Sequence, residues 1–153
     1  LKYVIFINDK AIGKLTAIKT INPDSSIILI VKSIASYKFL FSFKINFNYE
    51  TRFSPDGTFI YSDFTYLFND KLKENNRIVK FNESYKIYME DKYIKSLNTV
   101  FKQSMIGLYF SEPLSNTPTI SERFGEIILI NPSVQHKYRI ELPSGDVNNY
   151  FYE

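Results

Sequence analysis

The sequence predicts a mainly β protein: an antiparallel, strongly curved meander sheet, either a barrel or a half-barrel, around one short helix. Three observations lead to this fold class. Aromatic residues make up 17% of the 153 residues, with Phe 14, Tyr 12 and Trp 0, and Phe and Tyr favour the half-buried surface of strands. Short apolar segments alternate with turns rich in Asn, Asp and Pro, as in sandwiches and barrels. One long segment, 37–53, alternates aromatic and polar residues almost without interruption.

The elements follow from where the turn residues interrupt the apolar segments. Strands are predicted over 3–7, 12–21, 27–34, 37–53, 58–68, 77–81, 85–89 and 93–97. The clearest turn is 54–57, where Pro presets the backbone angle and Asp can close the turn with its side chain. The segment 100–110 has helical spacing and is followed by Pro113, which predicts the short helix. Strands resume over 120–124, 127–130, 137–142 and 147–152, and no linker interrupts the chain, so 1–153 is predicted to form a single β-rich domain.

The segment 37–53 is interpreted as one strand with an aromatic face. Successive strand residues point to opposite faces, and the odd positions are nearly all aromatic. Such a strand would extend to roughly 50 Å, whereas typical strands span about 17–20 Å. We therefore expect the sheet to coil strongly, with the helix over 100–110 filling its interior.

Two interpretations of the aromatic face stay open. Rings that simply fill the core are favoured, because protein interiors are close-packed and burying a Phe contributes about 1.5–3 kcal/mol. The alternative is a cavity for a hydrophobic or lipid-like ligand, and a void of several hundred Å³ would favour it. In that case the expected ligand-binding residues act by apolar contact, with tyrosine hydroxyls orienting a polar head: Phe39, Phe41, Phe43, Phe47, Tyr49, Tyr109 and Phe110.

Composition argues against several other classes of function. The net charge of +3 is mild, and Lys38, Lys44 and Arg52 alternate with the aromatic residues, so they fall on the opposite face, unlike a nucleic-acid stacking platform. The chain has no Cys and one histidine, His136, which excludes thiol or His-rich metal sites. We predict no metal, no cofactor and no enzymatic activity. No apolar segment is long enough for a spanning helix.

Charged pairs and outward tyrosines are further candidate sites. Glu122 beside Arg123, and Glu50 on the same strand face as Arg52, are expected to be surface ion pairs, worth about 0–1 kcal/mol each. An aromatic outer face on 58–68 is compatible with a protein interface, because a tyrosine ring is apolar while its hydroxyl stays wet.

Several motifs in order resemble an uncharacterised bacterial family, the domain of unknown function 6134. The likeness covers nearly the whole chain. Its motifs are Ile12-Gly13-Lys14-Leu15, Tyr49-Glu50-Thr51, Leu108-Tyr109-Phe110-Ser111-Glu112-Pro113, Ser121-Glu122-Arg123-Phe124-Gly125, Leu142-Pro143-Ser144-Gly145-Asp146 and Tyr150-Phe151-Tyr152.

In this family the domain is mostly found directly after a signal peptide, in proteins of Bacteroidota. The resemblance therefore implies an exported protein, either periplasmic or secreted. Because the sequence starts at Leu1 rather than Met, we expect any signal peptide to be missing from it already. The layout is also similar to lipoprotein-carrier-like half-barrels, a fold-level analogy that favours the cavity. The leading hypothesis is a non-enzymatic exported protein that binds a hydrophobic small molecule or lipid. The alternative is an envelope structural or protein-interaction module with a packed core.

Overall fold

The main element of the structure is an antiparallel sheet of eight strands in chain order, each paired with the next. The computed structural model describes residues 1–7, 9–38, 42–130, 132–134 and 136–152. The mainly β, antiparallel meander is confirmed. Its strands are β1 (Lys2–Ile7), β2 (Lys10–Ile21), β3 (Ile27–Lys38), β4 (Ser42–Phe53), β5 (Phe59–Phe68), β6 (Lys71–Phe81), β7 (Ser84–Met89) and β8 (Lys92–Leu97).

Two smaller sheets are built from the chain after β8. The first has the order β11-β10-β9, with β9 and β10 parallel. The second has the order β12-β13-β14 and is antiparallel. Their strands are β9 (Gln103–Ser104), β10 (Pro118–Ser121), β11 (Glu126–Leu129), β12 (Pro132–Val134), β13 (Lys137–Glu141) and β14 (Val147–Phe151).

The prediction of one strand over 37–53 is wrong. Tyr37 belongs to the end of β3 and pairs with Phe43 of β4, and Lys38 pairs with Ser42. The alternation nevertheless continues through the segment, because paired residues on neighbouring strands point to the same face. An aromatic alternation can therefore run through a hairpin as if it were one strand.

Two bulges change the predicted alternation in β5 and β6. Arg52 pairs with Tyr61 while Phe53 pairs with Phe59, so Ile60 is an extra residue and Phe59 lies on the same face as Phe64. Both rings are fully buried. The predicted break before residue 77 is also wrong: β6 starts at Lys71, with a second bulge opposite Tyr66 and Leu67. A bulge keeps the pairing while moving side chains to the other face.

The predicted helix over 100–110 is reduced to a single 3₁₀ turn, Ile106–Tyr109. Before it, Gln103 and Ser104 pair with β10 instead of forming helical hydrogen bonds. At the turn, the backbone N of Gly107 donates to Ser104 Oγ at 3.3 Å. Side chains and a neighbouring strand thus satisfy backbone groups that a helix would pair internally. Within the described residues, no helix is long and apolar enough to cross a membrane.

The main core lies on the face of the eight-stranded sheet that carries Phe53, Phe59 and Tyr85. The chain after β8 contributes Phe101 to this core, and its ring meets that of Tyr85 at 5.0 Å. The Tyr85 hydroxyl donates to the carbonyl oxygen of Phe59 at 2.8 Å. A second cluster supports the smaller sheets: Met105, Leu108, Ile128, Ile130, Tyr138 and Ile140.

Candidate functional site

Three of the predicted ligand-binding residues line one cavity of about 200 Å³: Phe47, Tyr49 and Tyr109. Phe47 and Tyr49 occupy inward positions of β4, and Tyr109 ends the 3₁₀ turn. The other walls are Met105, Ile106, Ser121, Glu122, Arg123, Phe124, Leu142, Asn148 and Tyr150. The cavity therefore lies between the large sheet and the segments that follow it.

The β4 wall is held in place by rings from the next strand. Phe47 stacks on Tyr66 with centroids 4.8 Å apart, and Tyr49 meets Phe64 at 4.6 Å. Aromatic pairs of this kind add about 0.5–1.5 kcal/mol beyond the area they bury. The wall is thus preformed by cross-strand packing in the protein itself.

The remaining predicted residues do not join this cavity. Phe110 lines a separate hollow of about 150 Å³ with Leu29 and Phe53. Phe43 is exposed and borders a third hollow with Tyr37, near the end of β3. Phe39 and Phe41 lie outside the described residues.

A larger open hollow of about 570 Å³ adjoins the cavity and shares three walls with it: Tyr109, Asn148 and Tyr150. Tyr3 of β1 borders this hollow, and its ring approaches that of Tyr109 at 5.8 Å. The Tyr152 hydroxyl on the same border donates to the carbonyl oxygen of Leu108 at 2.8 Å. Tyrosines therefore border both spaces, and Tyr109 and Tyr150 are common to the two.

Glu122 is the buried carboxyl group of the site, with only 1% of the residue exposed. Its Oε1 accepts hydrogen bonds from Thr51 Oγ1 at 3.0 Å and from the backbone N of Ile106 at 3.4 Å. Its Oε2 has no hydrogen-bond partner among the described residues. Burial raises the pKa of Glu122 to about 7, although the hydrogen bonds to the carboxyl group act in the opposite direction. The expectation of a surface ion pair with Arg123 is wrong.

Arg123 pairs with Glu74 of β6 instead. Its Nε and Nη2 donate to the two carboxylate oxygens at 2.9 and 2.6 Å, a bidentate arrangement that suits the planar guanidinium. The group also lies 5.5 Å from the ring centre of Phe47 and 5.2 Å from that of Phe124. The hydrogen bonds to Glu74 raise the pKa of Arg123.

The predicted pair of Glu50 and Arg52 is confirmed: Arg52 Nε donates to Glu50 Oε1 at 2.7 Å.

The two charged residues point in different directions because β10 ends at Ser121 and the chain turns over 122–125. Gly125 closes this turn with φ +60, donating its N–H to the carbonyl oxygen of Ser121 at 2.8 Å. A Cβ at Gly125 would lie 2.6 Å from Ile87 Cγ2. Only glycine meets both requirements, the positive φ and the close approach. The predicted strand over 120–124 therefore ends earlier, at Ser121.

Burial changes the acidity of the cavity's tyrosines. It raises the pKa of Tyr49, with Glu122 adding to the effect, and it raises the pKa of Tyr109 and Tyr150. These hydroxyls stay protonated at neutral pH and can donate as well as accept. Within the described residues, no hydrogen bond from the hydroxyl of Tyr49 or Tyr109 to the protein is formed.

His136 lies away from the cavity walls. It is exposed, with a positive φ of 60, and its Nδ1 lies 3.0 Å from both carboxylate oxygens of Glu112. The Tyr138 hydroxyl donates to Glu112 at 2.6 Å, and this bond, ahead of the His136 contact, lowers the pKa of Glu112.

Sequence reasoning missed Glu122 as a buried group, and it missed Arg123 and Tyr150 as walls. The signal for Glu122 was its position directly after the apolar and small residues of β10, followed by a glycine three residues later. Tyr150 alternates with exposed residues on β14, a pattern that fits any half-exposed strand.

The fold and the cavity together define a mainly β protein with a small aromatic-walled cavity beside a buried carboxyl group. The chain belongs to the family described as Domain of unknown function (DUF6134), whose model matches residues 3–153. The resemblance drawn from the sequence motifs is thereby confirmed. No curated protein and no solved structure matches the chain.

Proposed function

We propose that the protein is a non-enzymatic, exported binding protein that holds a hydrophobic or lipid-like ligand between Phe47, Tyr49 and Tyr109. The observation that carries the proposal is the cavity itself: three predicted aromatic residues, two from β4 and one from the 3₁₀ turn, border the same space. Small-molecule sites are typically concave and mostly apolar, with a few polar groups that fix orientation. The hydroxyls of Tyr49 and Tyr109, which bond to no residue in the described part of the chain, are such groups.

The available space supports a ligand larger than a few atoms. The cavity of about 200 Å³ is small for a binding site on its own, and pockets for small molecules usually measure about 300–1,000 Å³. The hollow of about 570 Å³ shares the walls Tyr109, Asn148 and Tyr150 with the cavity and is also bordered by Tyr3 of β1, so it offers further room beside it. An elongated ligand would place one end in the cavity and the other in the hollow.

A curled sheet, as in a half-barrel around the 3₁₀ turn, is part of the proposal. One core cluster unites buried residues of six adjacent strands, from Ala17 of β2 to Ile87 of β7, with Phe101, Ile106 and Ile120. Six strands spaced by about 4.8 Å extend over about 24 Å in a flat sheet. Curling brings such distant strands towards the same inserted segment, which supports this shape.

Export to the periplasm or the medium is proposed on the family resemblance. Fractionation of the organism that produces the protein, followed by immunoblotting, tests this location. We expect the signal in the periplasmic or secreted fraction, and a signal confined to the cytosol would contradict export.

Native mass spectrometry of protein purified gently from its source tests ligand binding. We expect an added mass that organic extraction removes, and an upward thermal shift when long-chain lipids are added to the extracted protein. A matched variant, Tyr49→Ser, should lose the added mass. A bare mass together with no thermal shift would overturn the proposal.

A protein-interaction module is the second candidate, and the edge strand β1 favours it. Tyr3, Val4 and Phe6 are exposed there, and edge strands present unpaired backbone groups that another strand can bind. Light scattering of the purified protein, alone and after Val4→Lys, tests this function. A strict monomer with no partner captured by cross-linking counts against it.

A further inference from the structure

We propose that two copies of the protein pair edge to edge through β14, running antiparallel, with Asn149 on a two-fold axis. The partner is thus a second copy of the same chain, and Asn149 of one copy lies opposite Asn149 of the other. Pairing of this kind goes beyond the proposed ligand binding and does not depend on it.

The backbone of β14 has unpaired groups along its outer edge. Among the described residues β14 has one neighbouring strand, β13, and the N–H of Tyr152 donates to the carbonyl oxygen of His136 at 3.0 Å. In an antiparallel pair every second residue bonds to the neighbouring strand. The N–H and C=O groups of the three outward residues, Val147, Asn149 and Phe151, therefore point away from β13. They form no hydrogen bond with the described part of the chain.

The outer edge of β14 is open to the hollow of about 570 Å³. Residues 147–152 all border this hollow, without a gap. Successive strand residues point to opposite faces, so six in a row can border one space only if that space runs along the edge of the strand. The edge therefore has room for another strand, which would add at a spacing of about 4.8 Å.

β14 lacks the features that keep other strand edges from pairing. The two outer strands of the large sheet have them: β1 carries Lys2 and a bulge, and β8 carries Lys92 and Lys95. Lysines and bulges at an edge discourage pairing with another chain. Val147–Phe151 contains no charged residue and no proline, and its pairing with β13 is regular. Of these three edges, β14 is the most open to pairing.

The outward residues are complementary to themselves in the antiparallel register. Hydrogen bonds across the new edge join outward residues to outward residues, so an axis at Asn149 places Val147 of one copy opposite Phe151 of the other. Both side chains are exposed in the monomer, and their contact removes apolar surface from water. The two Asn149 amides face each other, and one can donate to the other. A two-fold axis closes the pair, as in most homodimers.

The charged residues beside β14 favour the same register. Lys137 and Glu141 lie at the two ends of β13, paired with Phe151 and Val147. In the antiparallel dimer each outer row of side chains therefore runs from Lys137 of one copy to Glu141 of the other. The middle row ends in Arg139 of each copy. Three strand spacings keep these like charges about 14 Å apart, beyond the Debye length of about 8 Å.

Sedimentation velocity at protein concentrations up to about 1 mM tests the pairing. We expect a weak dimer, half formed near about 100 μM, because five paired residues make a smaller interface than that of a stable complex. Asn149→Pro removes an outward N–H that β13 does not use, and edge strands tolerate proline at such positions. We expect this variant to keep the wild-type circular dichroism spectrum and to stay monomeric.

Two further variants make the sedimentation result specific. Asn149→Lys places two lysines face to face on the axis, and like charges directly opposite each other are unfavourable. It should be monomeric too, so the test does not depend on the folding of the proline variant. Val4→Lys changes the edge of β1 and is the matched control, which should form the dimer as the wild type does.

Single cysteines test the register, because the chain has no Cys of its own. Asn149→Cys brings two thiols together on the axis, where Cα atoms about 5.5 Å apart are within disulfide range. We expect it to form a disulfide dimer in a glutathione buffer. Asn148→Cys is the matched control: its two copies lie about 8 Å apart, too far for a disulfide. Glu83→Cys, in the exposed turn before β7, measures oxidation by random collision.

Three results would overturn the proposal. The first is a wild-type protein that remains monomeric at about 1 mM. The second is a dimer that persists in Asn149→Pro and Asn149→Lys, or that Val4→Lys abolishes. The third is cross-linking of Asn149→Cys no greater than that of Asn148→Cys or Glu83→Cys. None of these results bears on ligand binding, which native mass spectrometry tests separately.

Discussion

Two aromatic clusters line the same face of the eight-stranded sheet, and only one of them is solid. Around Phe59, Tyr85 and Phe101 the rings are buried and interlock edge to face, with Phe59 and Phe101 centroids 6.4 Å apart. Around Phe47 and Tyr49 similar rings border empty space. The first cluster receives Phe101 from the segment after β8, whereas the second faces Glu122. Aromatic alternation thus defines a face of a sheet, and the inserted segment decides whether that face is filled.

The largest difference between the clusters should appear in stability. Phe101→Ala empties a fully buried site and should lower the free energy of unfolding by about 3–5 kcal/mol. Phe47→Ala removes a partly exposed ring at the cavity wall and should cost about 1–2 kcal/mol. Urea unfolding monitored by circular dichroism measures both. Equal losses would contradict the distinction between a solid and a hollow cluster.

The next effect is the pH dependence of Glu122. Its native pKa of about 7 lies above its ordinary value of 4.5, so the native state holds the proton more tightly than the unfolded chain. This contribution to stability is complete below pH 4.5 and is lost as pH rises to about 7, a decrease of about 3 kcal/mol.

Denaturant unfolding between pH 4 and 8 measures that decrease, and Glu122→Gln is the reference because it cannot titrate. We expect the wild-type curve to fall relative to the variant across this range. Parallel curves for the two proteins would mean that the carboxyl group is not buried in solution.

Tyrosine hydroxyls provide a smaller and closely matched contrast. Tyr85→Phe leaves the buried carbonyl oxygen of Phe59 without its donor and should cost about 1–3 kcal/mol. Tyr49→Phe removes a hydroxyl that bonds to no described residue and should change the free energy of unfolding by less than about 0.5 kcal/mol. Thermal unfolding of the two variants makes the comparison. A large loss for Tyr49→Phe would mean that its hydroxyl has a structural partner.

The smallest expected effect concerns the cation at the cavity border. Arg123→Lys loses the bidentate contact with Glu74 and the stacking on Phe47 and Phe124, and it should cost about 1 kcal/mol. Arg77→Lys, which changes an exposed pair with Asp91, should cost less than about 0.5 kcal/mol. The two values come from the same urea titration, and their equality would show that the aromatic surroundings of Arg123 add no stability.

Much of the fold could be predicted because turn residues and alternation are local signals. These signals are enough to predict strands β1 to β8 and the face of the sheet that holds Phe47, Tyr49 and Phe53. The hairpin within 37–53 could not be predicted, since pairing Tyr37 with Phe43 preserves the alternation. The bulge at Ile60 was also hidden, because one extra residue leaves no mark in composition.

The site was only partly predictable for a different reason. Phe47, Tyr49 and Tyr109 were found because aromatic rings on one face must be covered. Glu122 was expected at the surface, as charged residues usually are. Its burial depends on Thr51 and Ile106, which come from distant parts of the chain and meet only in the folded protein. Pairing of Arg123 with Glu74, 49 residues earlier, is non-local in the same way.

The most direct test of the hollow cluster is an NMR titration of protein with labelled tyrosine rings, using 1-decanol as the probe. We expect the ring signals of Tyr49, Tyr109 and Tyr150 to shift in a saturable way. The ring of Tyr85, which is packed against Phe59 and Phe101, should stay unchanged. Saturable shifts confined to the cavity tyrosines would support the ligand site, and unchanged signals or equal shifts at Tyr85 would contradict it.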